Sequence, residues 1–439
     1  MTIETPVEQF LAALYDGDVG RVRGLLEAHE EVRASVNAPI CWFDSRPATA
    51  AKRNLPLLDV LLEYGADLNL KSEWWAGGFG ILEGDLTPEE AEPLIERGAI
   101  VDVHAAAHLG MLDRLEDLFD QDPSLVHARG GDGKTPLHWA STVDVAGYLL
   151  DRGADIDARD ADHESTPAQY LVRDAPDVAR LLFERGAWFD IFLAVGLRDA
   201  ELVEHCLRED PDALDHRTWH GKYSVAHNGQ RPATPEEIGD RRGDIYRWVF
   251  GHNVSALDVA IELGYDDIAE LLRRHATPAQ RLLAACAQGD REAAKAVVDS
   301  DPGVVAGLDR DQLRLIADRA HANDTAAVRL MLELGFDPLT PGVDDWEPIR
   351  WAAFHGNAEL VRLLLPHDPP LGVPDRSYGG TPLGQSLYGS LHGWHCHTGD
   401  FATTVRLLLE AGERPDPTQI PIGRDDVDAV LRAQLPRSD

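Results

Sequence analysis

Apolar positions recur at helical spacing along most of the chain, most clearly across residues 133–159, GKTPLHWASTVDVAGYLLDRGADIDAR. Thr135-Pro136-Leu137-His138 opens a helix, because proline is tolerated at the first helical position, where its missing N–H costs nothing. Val145, Leu149 and Leu150 mark the apolar stripe of a second helix. Gly153 supplies a left-handed stop, and Ala154-Asp155-Ile156-Asp157 leaves as an extended arm. A helix–turn–helix this small cannot bury its apolar face alone, so it must stack on copies of itself. Copies are present. Gly65-Ala66 and Gly98-Ala99 lie 33 residues apart, as do Gly153-Ala154 and Gly186-Ala187.

The period can be followed from the first residues. Phe10, Leu11, Leu14, Val22, Leu25 and Leu26 fill repeat one, and Leu57 to Asp67 supplies the second helix of repeat two. Repeat three is weak: the glycines among Trp74-Trp75-Ala76-Gly77-Gly78-Phe79-Gly80 disfavour helix, so irregular backbone is expected across residues 72–87. Repeats four to seven follow from Val103 to Asp210. The period then breaks for about 40 residues, an insert at about 214–254, which is too long for a structureless loop within a compact array. Its alternating segment, Ile245-Tyr246-Arg247-Trp248-Val249-Phe250, predicts a strand. Repeats resume at Ser255 and continue through a last one opening at Thr381-Pro382-Leu383, which carries a second insert at about 388–398. An amphipathic segment after Pro417 suits a terminal cap. The predicted organisation is all-α: one solenoid over residues 1–419, of about twelve helix–turn–helix repeats with extended arms, and a capping helix within 420–439.

The TPLH opening and the 33-residue period resemble the ankyrin repeat. The layout with two long inserts resembles a bacterial-type group of multi-repeat ankyrin proteins. The resemblance implies a binding scaffold, since the fold itself performs no chemistry. It also implies that His138, and His104 at the equivalent position, orient the arms through hydrogen bonds. The residue after TPLH would face the concave surface, which places Trp139, Tyr170 and Trp351 there, with His355 near the end of a first helix.

Charge narrows the function. A formal net charge of −35, from 76 acidic and 41 basic residues, argues against binding a nucleic-acid backbone or an anionic membrane surface. Only five of the basic residues are lysine. No apolar run reaches the length of a membrane span, and the opening residues read as a helix rather than a signal peptide. Four scattered cysteines without a CxxC pair suggest reduced thiols and a cytoplasmic setting.

Large aromatics at exposed positions suit recognition, because they offer contact area at low entropic cost. Trp139, Tyr170 and Trp351 are the candidates on the repeats, with His355 beside them and Trp248, Trp394 and His395 from the inserts. His392-x-x-His395-Cys396-His397 has metal-like density but no standard finger spacing, so no metal and no cofactor are expected. Asp162-His163-Glu164 and Asp132-Gly133 sit at arm tips, where carboxylates are usually solvated turn residues. His216, His220, His227 and His252 add proton-transfer groups in the long insert. No Ser–His–Asp signature, P-loop, dinucleotide fingerprint or HExxH is present. The expected function is recognition of a protein partner or small polar ligand on the concave face, with the 214–254 insert folded over it. The alternative is an enzyme acting on a polar metabolite or carbohydrate in a pocket roofed by the two inserts.

Overall fold

The structure, a computed structural model, describes residues 5–342, 345–416 and 420–434. Helices dominate, and no β-strand occurs among the described residues, only two isolated bridges. The chain divides into two compact units, Met1–Val259 and Ala260–Asp439.

In the first unit, helices come in pairs joined by short turns. Pro6–Tyr15 packs on Val19–Ala28, Val103–His108 on Leu112–Gln121, Pro167–Leu171 on Pro176–Glu184 and Ile191–Gly196 on Ala200–Glu209. Proline stands in the first turn of many of them, and Thr5 and Thr87 form reciprocal capping boxes with Glu8 and Glu90. Gly65, Gly98, Gly153 and Gly186 end second helices at φ of 87°, 100°, 88° and 97°, the left-handed stops that the period requires. Pro136–Trp139 makes only a single 3-10 turn before Val143–Asp151. Residues 72–86 contain no helix, as their glycines imply.

Arms are tied to their neighbours one repeat on. Asn37 donates from Nδ2 to the Gly65 carbonyl (2.8 Å) and accepts from the Asp67 amide (2.9 Å). Asn69 repeats the arrangement on Gly98 and Ile100. His138 is buried, and its Nδ1 accepts from the Thr135 amide (3.1 Å) while Nε2 meets the Ser165 carbonyl of the next arm (3.1 Å). Burial pushes its pKa down to about 3, so the ring works as a neutral bridge. His104 reaches the Ala128 carbonyl in the same way (3.1 Å).

The long insert closes on itself. Thr218 donates its amide to the Val254 carbonyl (3.1 Å) and Arg217 reaches the Asn253 carbonyl (2.7 Å), so the flanking helices need no extra span. Its 245–250 segment is not the strand that the alternation predicts. Tyr246–Val249 is a helical turn, and Tyr246 stacks on Phe250 at 5.5 Å, an i,i+4 contact.

The second unit repeats the pairing. It contains Pro278–Ala287 with Arg291–Ser300, Leu315–His321 with Thr325–Glu333, Pro348–Phe354 with Ala358–Leu364, and Pro382–His392 with Phe401–Glu410. The last helix, Asp425–Gln434, buries Val427 and Leu431 against Phe401–Glu410. The rest of the expected cap, residues 435–439, and residues 417–419 lie outside the described residues.

Candidate functional site

Four of the seven candidate residues meet in the second unit. Helix Pro348–Phe354 carries Trp351, with His355 capping its C-terminal end, and helix Pro382–His392 delivers the second insert. The two helices approach so closely that a Cβ on Gly389 would lie 2.1 Å from the Phe354 carbonyl oxygen. Beyond Gly393 the chain turns back, held by Arg424, which donates to the Cys396 and Ser390 carbonyls (2.6 and 2.8 Å). This loop sets Trp394 parallel to Trp351, with ring centroids 6.3 Å apart, and His321 stands edge-on to both at 4.4 and 5.2 Å. His395 meets His355 at 5.0 Å. Trp346, Phe354 and Tyr388 extend the nest, and a cavity of about 360 Å³ opens beside it, reaching His355, His395, Arg362 and Asp400.

The nest has two layers of unlike exposure. Trp351 is 4% exposed and His355 1%, whereas Trp394 is 65% exposed and Tyr388 59%. The expectation that Trp351 stands on an open surface is therefore corrected: neighbouring rings cover it. His355 donates its Nε2–H to the His321 carbonyl (2.8 Å), since a carbonyl oxygen only accepts. Nδ1 is then an acceptor, buried and without a hydrogen-bond partner. Burial, with His395 and His321 adding to it, pushes the His355 pKa down to about 4.

The first unit holds a second cluster at the tips of the arms. Asp160 is 4% exposed; it accepts from the amides of Asp162 (3.2 Å), His163 (2.7 Å) and Ser165 (2.7 Å) and from the Tyr170 hydroxyl (3.0 Å). Burial raises its pKa to about 6 against the pull of His163 and those amides. Lys134 places its ammonium over the rings of Trp139 (4.0 Å) and Tyr170 (4.8 Å) and 3.2 Å from an Asp132 oxygen. The insert arrives on the other side. Glu164 accepts from the Ala226 and His227 amides (2.9 and 3.0 Å), His163 pairs with Asp244 (2.8 Å) and Gln169 donates to the Arg242 carbonyl (2.8 Å). Burial opposes charge on His163, but the Asp244 hydrogen bond and the fields of Asp160, Asp244 and Asp162 outweigh it and raise its pKa. Gly243 (φ 76°) makes the approach possible, since a Cβ there would lie 2.2 Å from Ser165 Oγ.

Sequence reasoning missed this cluster in part. Asp162, His163 and Glu164 are not solvated turn residues: Glu164 is buried and the other two are half-buried beneath the insert. Asp160 went unremarked, although an aspartate followed by acceptor-seeking amides two and three residues on is a turn signal. Trp139 and Tyr170 are half-buried around Lys134. Trp248 is 64% exposed in the insert, flanked by Arg247 and His252, and takes no part in the arm-tip network. Tyr223 and Tyr246 instead carry the insert's packing, both against Phe192.

Among the described residues, two groups bring three metal-type ligands together: Glu83, Asp102 and His104, and Asp132, Asp162 and His163. Each already contains an ammonium. Lys71 lies 3.0 Å from Glu83 and 2.7 Å from Asp102, and Lys134 lies beside Asp132, so the positive charge of a cation is supplied from within. The His392–His397 run forms no such group.

Comparison with known proteins defines a class for one stretch of this all-helical chain. Residues 132–161, which include the TPLH opening and the arm bearing Asp160, match the family described as Ankyrin repeat. A 107-residue stretch is 34% identical to the serine/threonine-protein kinase VIK of Arabidopsis thaliana; it covers 22% of this chain and 24% of that protein. The chain thus spans about a quarter of the length of the curated relative it matches. Among the described residues, no helix is long and apolar enough to cross a membrane.

Proposed function

We propose that the chain is a cytoplasmic interaction scaffold of about twelve ankyrin-type repeats, resembling the bacterial-type multi-repeat group. Its partner-binding surface is the Trp394–Tyr388 face of the last two repeats. The carrying observation is the layered nest: exposed Trp394 and Tyr388 rest on buried Trp351 and His355 and half-buried Phe354, so the exposed rings are held rigid before any partner arrives. Rigid aromatic anchors on a packed base are the usual form of an interface hot spot. A match to the ankyrin repeat supports the same reading, because such repeats generally mediate protein–protein contact. Helix pairs over most of both units support the repeat count, with the 214–254 and 388–398 inserts as additions to one array and the last helix as its cap.

The enzymatic alternative rests on the carboxylates and histidine of the arm tips. Those groups are engaged with one another and with backbone amides, which favours a latch holding the insert over a site waiting for substrate.

Affinity capture from the source cell's soluble extract tests the scaffold reading, with the wild type compared against Trp394→Ala combined with Tyr388→Ala. The double variant should keep the wild-type unfolding midpoint and lose the proteins that the wild type retains. Equal capture by both would remove this face from the binding role.

A further inference from the structure

In a chain with a net charge of −35, Arg129 and Arg159 stand without an ion-pair partner at the wall of one cavity, which Asp160 also lines. Arg129 and Arg159 occupy successive arms, 30 residues apart. Arg129 gives Nη1 to the carbonyls of Gly133 (2.7 Å) and Arg159 (2.5 Å), and Arg159 gives Nη1 to those of Glu164 (3.1 Å) and Arg241 (2.8 Å). Backbone carbonyls orient the two guanidiniums without neutralising them. The carboxylates in reach are committed: Asp160 to three amides and the Tyr170 hydroxyl, Glu164 to two amides of the insert, and Asp157 to the Trp188 amide at 2.9 Å. Burial, with Arg242 adding to it, holds Arg159 below the usual arginine range against the pull of Glu164, Asp157 and Asp160.

The cavity measures about 700 Å³, within the size range of small-molecule sites, and lies wholly within the first unit. Its opposite wall is apolar. The insert contributes Pro232, Ala233, Pro235 and Ile238, and Ala76 comes from the irregular third repeat.

We propose that this cavity binds a small organic acid, its carboxylate or phosphate held by Arg129 and Arg159 and its apolar body laid against Pro232, Pro235 and Ile238. Paired guanidiniums match the planar or tetrahedral oxygens of such a head in a way that a lysine pair does not. The site uses none of the residues of the partner-binding face, so either conclusion can fail without the other.

Calorimetric titration of the full chain with phenyl phosphate, hexanoate, hexanol and inorganic phosphate tests the assignment. One or both organic acids should bind saturably. The neutral alcohol should not, and inorganic phosphate should bind more weakly for want of an apolar body. Which acid is tighter identifies the head group. Arg129→Gln, at an exposed position, should raise the dissociation constant roughly ten- to hundredfold, the usual loss for a charged hydrogen bond. Ile238→Glu should do likewise by placing a like charge on the apolar wall. Circular dichroism confirms that both variants fold, and neither depends on Arg159, whose loss would disturb the arm itself. Absence of saturable binding by either acid overturns the proposal. So does hexanol binding as tightly as hexanoate, or affinity unchanged in both variants.

Discussion

Trp351 and Trp394 are the same residue type, 6.3 Å apart, with opposite duties. Removing a covered ring leaves a void that the surrounding helices cannot close, so Trp351→Ala should cost about 3–5 kcal/mol in a urea titration. Trp394→Ala should cost less than about 1 kcal/mol, because its face is already in water. Finding equal costs would collapse the layered description. His355 adds a pH dependence. Its folded pKa of about 4 lies below the ordinary 6.5, so between those values the unfolded chain binds more protons. Stability of the second unit should therefore fall as pH drops from about 6.5 to 4. His355→Gln, compared with wild type at pH 7 and pH 5, should show a shallower loss. At this scale the sequence revealed residue types but not their layers. The TPLH histidines were legible because a motif carries their partners, whereas the depth of Trp351 depends on Trp346 and Trp394, which reach it from other elements.

At the scale of elements, glycine stops and proline openings were legible because each acts within a few residues: the left-handed turn at Gly153 is a local demand. The insert was legible only as an interruption. Ile245 to Phe250 alternates in polarity like a strand, yet Ile245, Tyr246 and Phe250 are the buried members, and that spacing belongs to a helical turn. What places the segment is tertiary. Tyr246 donates its hydroxyl to Asp190 (3.0 Å), the carboxylate that also caps helix Ile191–Gly196 through the Leu193 amide (2.8 Å). One carboxylate thus ties the insert to the helix pair it covers. Tyr246→Phe removes one partner from a buried carboxylate whose pKa burial already raises, and should lower stability by about 1–3 kcal/mol. Urea unfolding at pH 7 measures it; a variant as stable as wild type would show that the insert merely rests on the repeats.

For the whole molecule, the surplus of carboxylates keeps apart the kinds of partner that a −35 chain repels from those it admits. It also engages all five lysines of the chain, and that has a consequence for their chemistry. Lys52 pairs with Asp85, Lys71 with Glu83 and Asp102, Lys134 with Asp132, Lys222 with Asp210 and Lys295 with Asp299. Four of the five keep 41% or less of the side chain in water, against 66% for Lys295. Among the five lysines, chemistry that needs an amine, whether an acetyl group, a conjugated tag or a laboratory cross-linker, meets its most open handle at Lys295, and Lys134 becomes reachable only after the cage of Phe79, Trp139 and Tyr170 has opened.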